Sequence, residues 1–379
     1  MKSFLIIAAI AGCGLQMAPA QDSNLAQPSS PSVTCSQPEF PGHGWKHSRG
    51  HLGGWSSPKL AEARQFADSI HDSSVVIVQC GRVVDEWGET SKKLTTFSVR
   101  KSLISALYGI YSAEGKIDIN ETLEQAGVDD SPLPLTKKER QARIVDLLRA
   151  RSGVYHPAAF ETDFQRKNRP ARGSHAPGSF WFYNNWDFNA LGTIFEKKTG
   201  LKIGDAFYQR IAKPTGMQDF RPSDVYYVGD PSVSMHPAFM FEMTARDMAR
   251  FGLLYLNRGR WGDRQVIPET WVDKSTHATE MIRVGDTDLG GYEYLWWVEY
   301  GGTYLFEPTL PGMYSAQGAG GHVILVIPSL NTVIVNQFDN EPTAHDQTSL
   351  LKAAQDRYAI SNDQLGHLVK LILSAGVKG

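Results

Sequence analysis

Residues 98–107 read Ser98-Val99-Arg100-Lys101-Ser102-Leu103-Ile104-Ser105-Ala106-Leu107. Ahead of them lies a β-branched stretch, 74–79, then the turn Cys80-Gly81-Arg82 and a return over 83–87, which together read as a hairpin. Over 97–112, Leu103, Ala106, Leu107 and Ile110 recur at helical spacing, so an amphipathic helix follows. Residues three apart share a helix face, which sets the Ser98 hydroxyl one turn from the Lys101 ammonium. A Ser near a helix start also has its own backbone N–H free to meet an oxyanion. Serine is a poor nucleophile near neutral pH, and a Lys desolvated by burial can take part in removing its proton. The spacing alone is unspecific. Ser56-Ser57-Pro58-Lys59 repeats it, and there it reads as a helix start, with Ser57 as cap, Pro58 at the first helical position and a solvated Lys.

Working outward, Leu60, Ala63, Phe66, Ala67 and Ile70 continue that first helix to about His71. Between 115 and 290 the pattern is mostly helical, over 145–149, 189–199, 203–211 and 245–257, with Pro, Gly and Asn-rich loops between. Strand patterns return over 294–300, 303–306, 322–327 and 332–336, and a helical region closes the chain over about 345–374. Strands from both ends then pair into one sheet, with the helical insertion as a lobe beside it. This is an α+β chain by segregation of elements. Its active site is expected in the cleft between the lobes.

Two further stretches carry chemistry. Tyr183-Asn184-Asn185 ends an aromatic run begun at Pro177-Gly178, and a Tyr phenolate beside a Lys cation can accept the serine proton and later return it. Asn185 can hold Lys101 or meet the substrate. Gly318-Ala319-Gly320-Gly321-His322 enters the strand 322–327; glycines at a strand edge admit close backbone approach, and a strand N–H can complete an oxyanion hole.

In this order and spacing the chain resembles the serine β-lactamase-like superfamily: class C β-lactamases, D-Ala-D-Ala carboxypeptidases, family VIII carboxylesterases and 6-aminohexanoate-dimer hydrolases. The resemblance covers roughly 56–375 and includes Leu147-Leu148-Arg149-Ala150-Arg151-Ser152-Gly153, then Leu191-Gly192 and Thr199-Gly200 behind the Tyr motif. It implies a β-lactamase/transpeptidase-like fold, an antiparallel sheet flanked by terminal helices with a helical lobe at about 115–290. It further implies Ser98 as acylated nucleophile, Lys101 as its activating partner, Tyr183 as general acid/base and Asn185 in support. The oxyanion hole would use the N–H of Ser98 and one on the strand carrying Gly320, Gly321 and His322. Tyr155 and His156 stand where related hydrolases carry a substrate-contacting loop. No cofactor and no metal is implied. The family usually heads its third motif with Lys, His or Trp, whereas here Ala319 or Gly318 stands there. Without that cation, a small neutral ester is favoured over the β-lactam, D-amino-acid peptide or amide substrates of the same fold. A non-catalytic binding protein is the remaining alternative, and the complete Ser, Lys and Tyr set argues against it.

Composition agrees. The 379 residues carry 38 Lys+Arg against 40 Asp+Glu, a net charge of −2, and are 41% hydrophobic. That excludes a disordered chain, and with no basic excess to displace counterions it argues against a nucleic-acid partner. Residues 1–20 read as an export signal: Lys2, the apolar 4–11, and Ala18-Pro19-Ala20 as a cleavage site, a run too short to span a bilayer. Cleavage after Ala20 is preferred over lipid attachment at Cys13, and the product is periplasmic or secreted. Residues 21–55 then form an extended leader segment ahead of a hydrolase domain over 56–375. In an oxidising compartment Cys35 and Cys80 become an even pair, for which a bridge is favoured over the alternative of two unpaired buried thiols.

Overall fold

The computed structural model describes residues 32–35, 38–48 and 54–376. The expected export signal, Cys13 included, lies outside them. The chain is α+β. Its centre is a seven-stranded antiparallel sheet built from β1 (Ser74–Gln79), β2 (Arg82–Gly88), β6 (Gly291–Glu293), β7 (Trp296–Val298), β8 (Tyr314–Gly318), β9 (His322–Ile327) and β10 (Thr332–Gln337), in the order β6-β7-β8-β9-β10-β1-β2. Strands from the two chain ends meet where β1 pairs with β10, Ser74 opposite Gln337 through Gln79 opposite Thr332. All six residues of β9 and of β10 are buried. Both faces of the sheet are therefore covered, and the near-continuous Val/Ile runs follow from that.

Helix α1 (Ser57–Ser69) packs along the C-terminal helix α6 (Asn362–Gly376) to form one covering layer, and Arg64 of α1 reaches Asp85 on β2. Ser56, not Ser57, holds the cap position of α1, and its side chain makes no capping bond. The other face is covered by α4 (Ala245–Leu256), which crosses β10, β9 and β1. Gly252 lets it sit close: a Cβ there would lie 2.5 Å from Val333 Cγ1 and 2.8 Å from Ile324 Cγ2. Sequence spacing placed this helix in the insertion, but its apolar face belongs to the sheet.

A second sheet, two of its strands in the insertion, was not anticipated from the sequence. The small sheet β3-β5-β4 joins β3 (Leu94–Thr95) to β4 (Val225–Val228) and β5 (Ala238–Met243). The long helices beside it are α2 (Val99–Ala113) and α3 (Asn185–Thr199). Helix α2 is the hub. Every residue from Val99 to Tyr111 is buried, against α3, β5 and β8. The expected strand at 303–306 is absent beyond one bridge, Tyr300 to Thr303, while β8, broken in sequence by Ser, Gln and Gly, is a full member of the sheet. The closing region is two helices, α5 (Gln347–Ala354) and α6. No helix among the described residues is long and apolar enough to cross a membrane.

The leader segment is fastened to the free edge of the sheet. Ser48 N donates to Val83 O (2.8 Å) and Val83 N to Lys46 O (2.9 Å), so backbone groups of edge strand β2 are paired rather than open. Cys35 and Cys80 are bonded, 45 residues apart in sequence. Restricting a loop of that length in the unfolded chain stabilises the fold by about 3–4 kcal/mol. Cys35→Ser is expected to lower the unfolding free energy by about that amount in a denaturant titration. A loss near zero would show that the strap holds without the bridge.

Candidate active site

Ser98 stands at the junction between the small sheet and α2. Thr96 is pinned to β5, its N–H donating to Phe241 O at 2.8 Å and its hydroxyl at 3.0 Å. Phe97 then turns through φ +49°, a left-handed conformation that a bulky side chain rarely adopts. Its ring stacks on Phe160, centroids 6.1 Å apart, which itself has φ +58°. The strain turns Ser98 into the cap position of α2, where its helical backbone leaves its own N–H outside the helix ladder.

One turn on, Lys101 Nζ lies 2.6 Å from Ser98 Oγ. The side chain is 2% exposed and sits over the rings of Tyr183 and Phe188, each centroid 4.7 Å from Nζ. Burial, joined by the positive charge of Arg100, pushes the Lys101 amine well below the usual range. Burial also raises the Tyr183 phenol to about 12, against the pull of the Ser98 hydroxyl and Arg100. The two groups therefore diverge: the amine beside the serine is driven toward its neutral form, and the phenol keeps its proton at ordinary pH.

Tyr183 is held by its ring. Trp297 of β7 stacks on it at 5.5 Å, with Phe188 at 4.9 Å and Tyr292 of β6 at 5.9 Å. The Trp pair alternates across the sheet, as strand geometry requires, so Trp296 stacks on Phe251 of α4 instead. Sequence spacing did not single out Phe188 and Trp297, because ring packing against a site leaves no local pattern.

Asn185 is not bonded to Lys101. Its Nδ2 donates to Phe160 O and, at 3.3 Å, to Gln165 Oε1, while its Oδ1 is buried without a partner. It thus steadies Phe160, the residue stacked behind Phe97. Asn184 is the cap of α3, accepting from Trp186 N at 3.3 Å. Asn followed by Asp187 in the first turn is a helix-start signature that would have moved the expected start from 189 to 185.

The expected oxyanion strand is corrected by the hairpin register. Gly318 pairs with His322, so the strand beside Ser98 is β8, and β9 turns away from it. A Cβ on Gly318 would lie 2.3 Å from Thr96 O and 3.3 Å from Ser98 N. Pairing of β7 with β8 reaches only Ser315, which leaves Ala316 to Gly318 without a partner on that edge. Gly320 and Gly321, with φ +91° and +93°, form the turn and press against Asn340 and Ile360. His322 is fully buried, its Nε2 2.9 Å from Asn340 Oδ1, and burial lowers the imidazole to about 4. These three brace the turn from behind.

Tyr155 and His156 do not form a surface loop. Tyr155 is buried, edge-on to Phe182 and His175. His156 is sealed between carboxylates, Nδ1 3.0 Å from Asp130 Oδ2 and Nε2 3.5 Å from Glu139 Oε1. The two acids draw the ring inward, where it ties the loop at 130–139 to the body. Among the described residues no cluster of three His, Cys, Asp or Glu side chains is placed to hold a metal ion.

A family model described as Beta-lactamase matches residues 59–357. A Salmonella paratyphi A protein named as a D-alanyl-D-alanine carboxypeptidase is 29% identical over 126 residues, 28% of this chain and 28% of that relative. The chain therefore matches less than a third of that curated relative's length. Among solved structures, a Bacillus anthracis protein named as a 6-aminohexanoate-dimer hydrolase superposes with a TM-score of 0.60 at 18% identity, over 89% of this chain and 88% of that one. A family VIII carboxylesterase superposes at 0.54 and 14% identity, over 79% and 98%. At such identities the superpositions establish the fold, and the activities in the names of those proteins differ from one another.

Gly318→Val is expected to push β8 off Ser98 and lower kcat/KM on an activated ester by about 100-fold, since small displacements of a positioned group cost that much. The same collision with the Thr96 carbonyl should lower the melting temperature, so the rates are compared on protein shown to be folded at the assay temperature. Unaltered kcat/KM in the folded variant would show that β8 does not line the site.

Proposed function

The chain belongs to the beta-lactamase family, and from that premise we propose an exported serine hydrolase that works through an acyl-enzyme on Ser98 and takes small neutral esters. The observation that carries the reading is the 2.6 Å approach of Lys101 Nζ to Ser98 Oγ inside a shell of rings. Ser98 Oγ adds to the ester carbonyl carbon as its proton passes to Lys101 Nζ. The carbonyl oxygen takes up negative charge beside the Ser98 N–H and the free edge of β8. Collapse breaks the bond to the alcohol, which leaves with a proton from Tyr183, and Tyr183 recovers one from Lys101. Water then attacks the acyl carbon by the reverse sequence and releases the acid and free Ser98.

The substrate class rests on what β8 lacks. Ala316, Gln317 and Gly318 bring no cation to the strand beside Ser98, so a substrate carboxylate would find no partner there. Shifting the third motif from Gly318–His322 to this strand leaves that argument intact. Export is supported by the Cys35–Cys80 bond, since disulfides persist in oxidising compartments.

A burst with p-nitrophenyl butyrate and a stable fluorophosphonate adduct on Ser98 are expected, both lost in Ser98→Ala. Tyr183→Phe should keep the fold and lower kcat by about 10²–10⁴-fold, the usual contribution of a positioned acid/base. Full esterase activity in Ser98→Ala would refute the nucleophile, and nitrocefin turnover above the ester rate would overturn the substrate class.

A further inference from the structure

Arg100, the residue between the nucleophile's turn and Lys101, is fully buried and pairs with no carboxylate. Its Nη2 donates to Asn189 Oδ1 at 3.1 Å, its guanidinium lies over the Phe239 ring at 4.6 Å, and Nε and Nη1 have no partner. The contrast with Arg250 is plain: that guanidinium, also buried, donates to the carbonyls of Pro41, Gly42 and Thr215. An arginine left with one neutral acceptor is costly to bury, and it stays charged because its intrinsic basicity is so high. Burial lowers it only to about 10.

We infer that Arg100 is a positioning residue for acylation, whose carboxylate-free guanidinium keeps Lys101 in its neutral form, ready to accept the Ser98 proton. The inference rests on the reading of Ser98 and Lys101 given above. Two cations on consecutive buried residues with no anion between them cannot both be sustained, and the lysine is the one that yields. The groups facing the pair are the phenols of Tyr183, ahead of α3, and Tyr292, on β6. From α3 come Asn189 and the Phe188 ring, from β5 the Phe239 ring, and on α2 itself the Ser98 hydroxyl. None of these is a carboxylate. Burial alone would disfavour a charged Lys101; the neighbouring guanidinium adds a second push in the same direction.

The test is the pH profile of kcat/KM for p-nitrophenyl butyrate, whose acid limb follows loss of the Lys101 proton. Removing a positive neighbour makes Lys101 easier to protonate, so Arg100→Met should move that limb to higher pH by about one unit or more. Asn189→Asp, nearly isosteric, sets a carboxylate on the guanidinium and should move the limb the same way, which keeps the test open should Arg100→Met fail to fold. An unmoved limb in folded Arg100→Met or in Asn189→Asp would overturn the inference. Wild-type protein that fails to be labelled at Ser98 by a fluorophosphonate would instead overturn the underlying reading, and this inference with it.

Discussion

An amine held 2.6 Å from a serine hydroxyl, deep in the protein and away from any carboxylate, is the constraint around which the rest is arranged. In water the amine would be protonated and the serine inert. Burial works against the first condition, because a charged ammonium loses its hydration and finds no carboxylate in exchange. The surroundings of Lys101 are therefore rings, and the charged neighbour is another cation. Helix α2 can be this buried only because it is wrapped by the sheet on one side and the insertion on the other.

The same constraint accounts for the irregular backbone ahead of the helix. A chain leaving β3 along its own direction would carry Ser98 past the helix axis; the left-handed Phe97 redirects it within one residue. Such a conformation costs of order 1–3 kcal/mol and persists only where neighbours fix it. Here Thr96 is tied to Phe241, and the Phe97 ring is stacked on Phe160, whose carbonyl Asn185 holds. Asn185, two residues after Tyr183, thus acts on the serine through the backbone behind it. Gly318 completes the junction, since any side chain there would collide with Thr96.

Much of this could be read along the chain. The hairpin, α2, the strands β9 and β10 and both terminal helices carry strong periodicity, and a Ser-x-x-Lys spacing on a helix has one geometric outcome. Other features lack a local signature. β8 is interrupted by polar residues and is a strand only because β9 pairs with it. α4 has a helical pattern that cannot say which layer it covers. His322 and His156 looked available because a sequence shows no burial; one is braced by Asn340 and the other lies between Asp130 and Glu139.

The amino-acid sequence by itself determined the α+β class, the helix that pairs Ser98 with Lys101, and the cysteine pair able to strap the leader. These depend on spacing, and spacing is local. Which glycine approaches the serine, which way each histidine faces, and that Arg100 lies beside Lys101 with no counter-charge were decided only in the tertiary structure. The reason is physical: hairpin register, burial and the pairing of charge are properties of segments brought together from far apart in the chain.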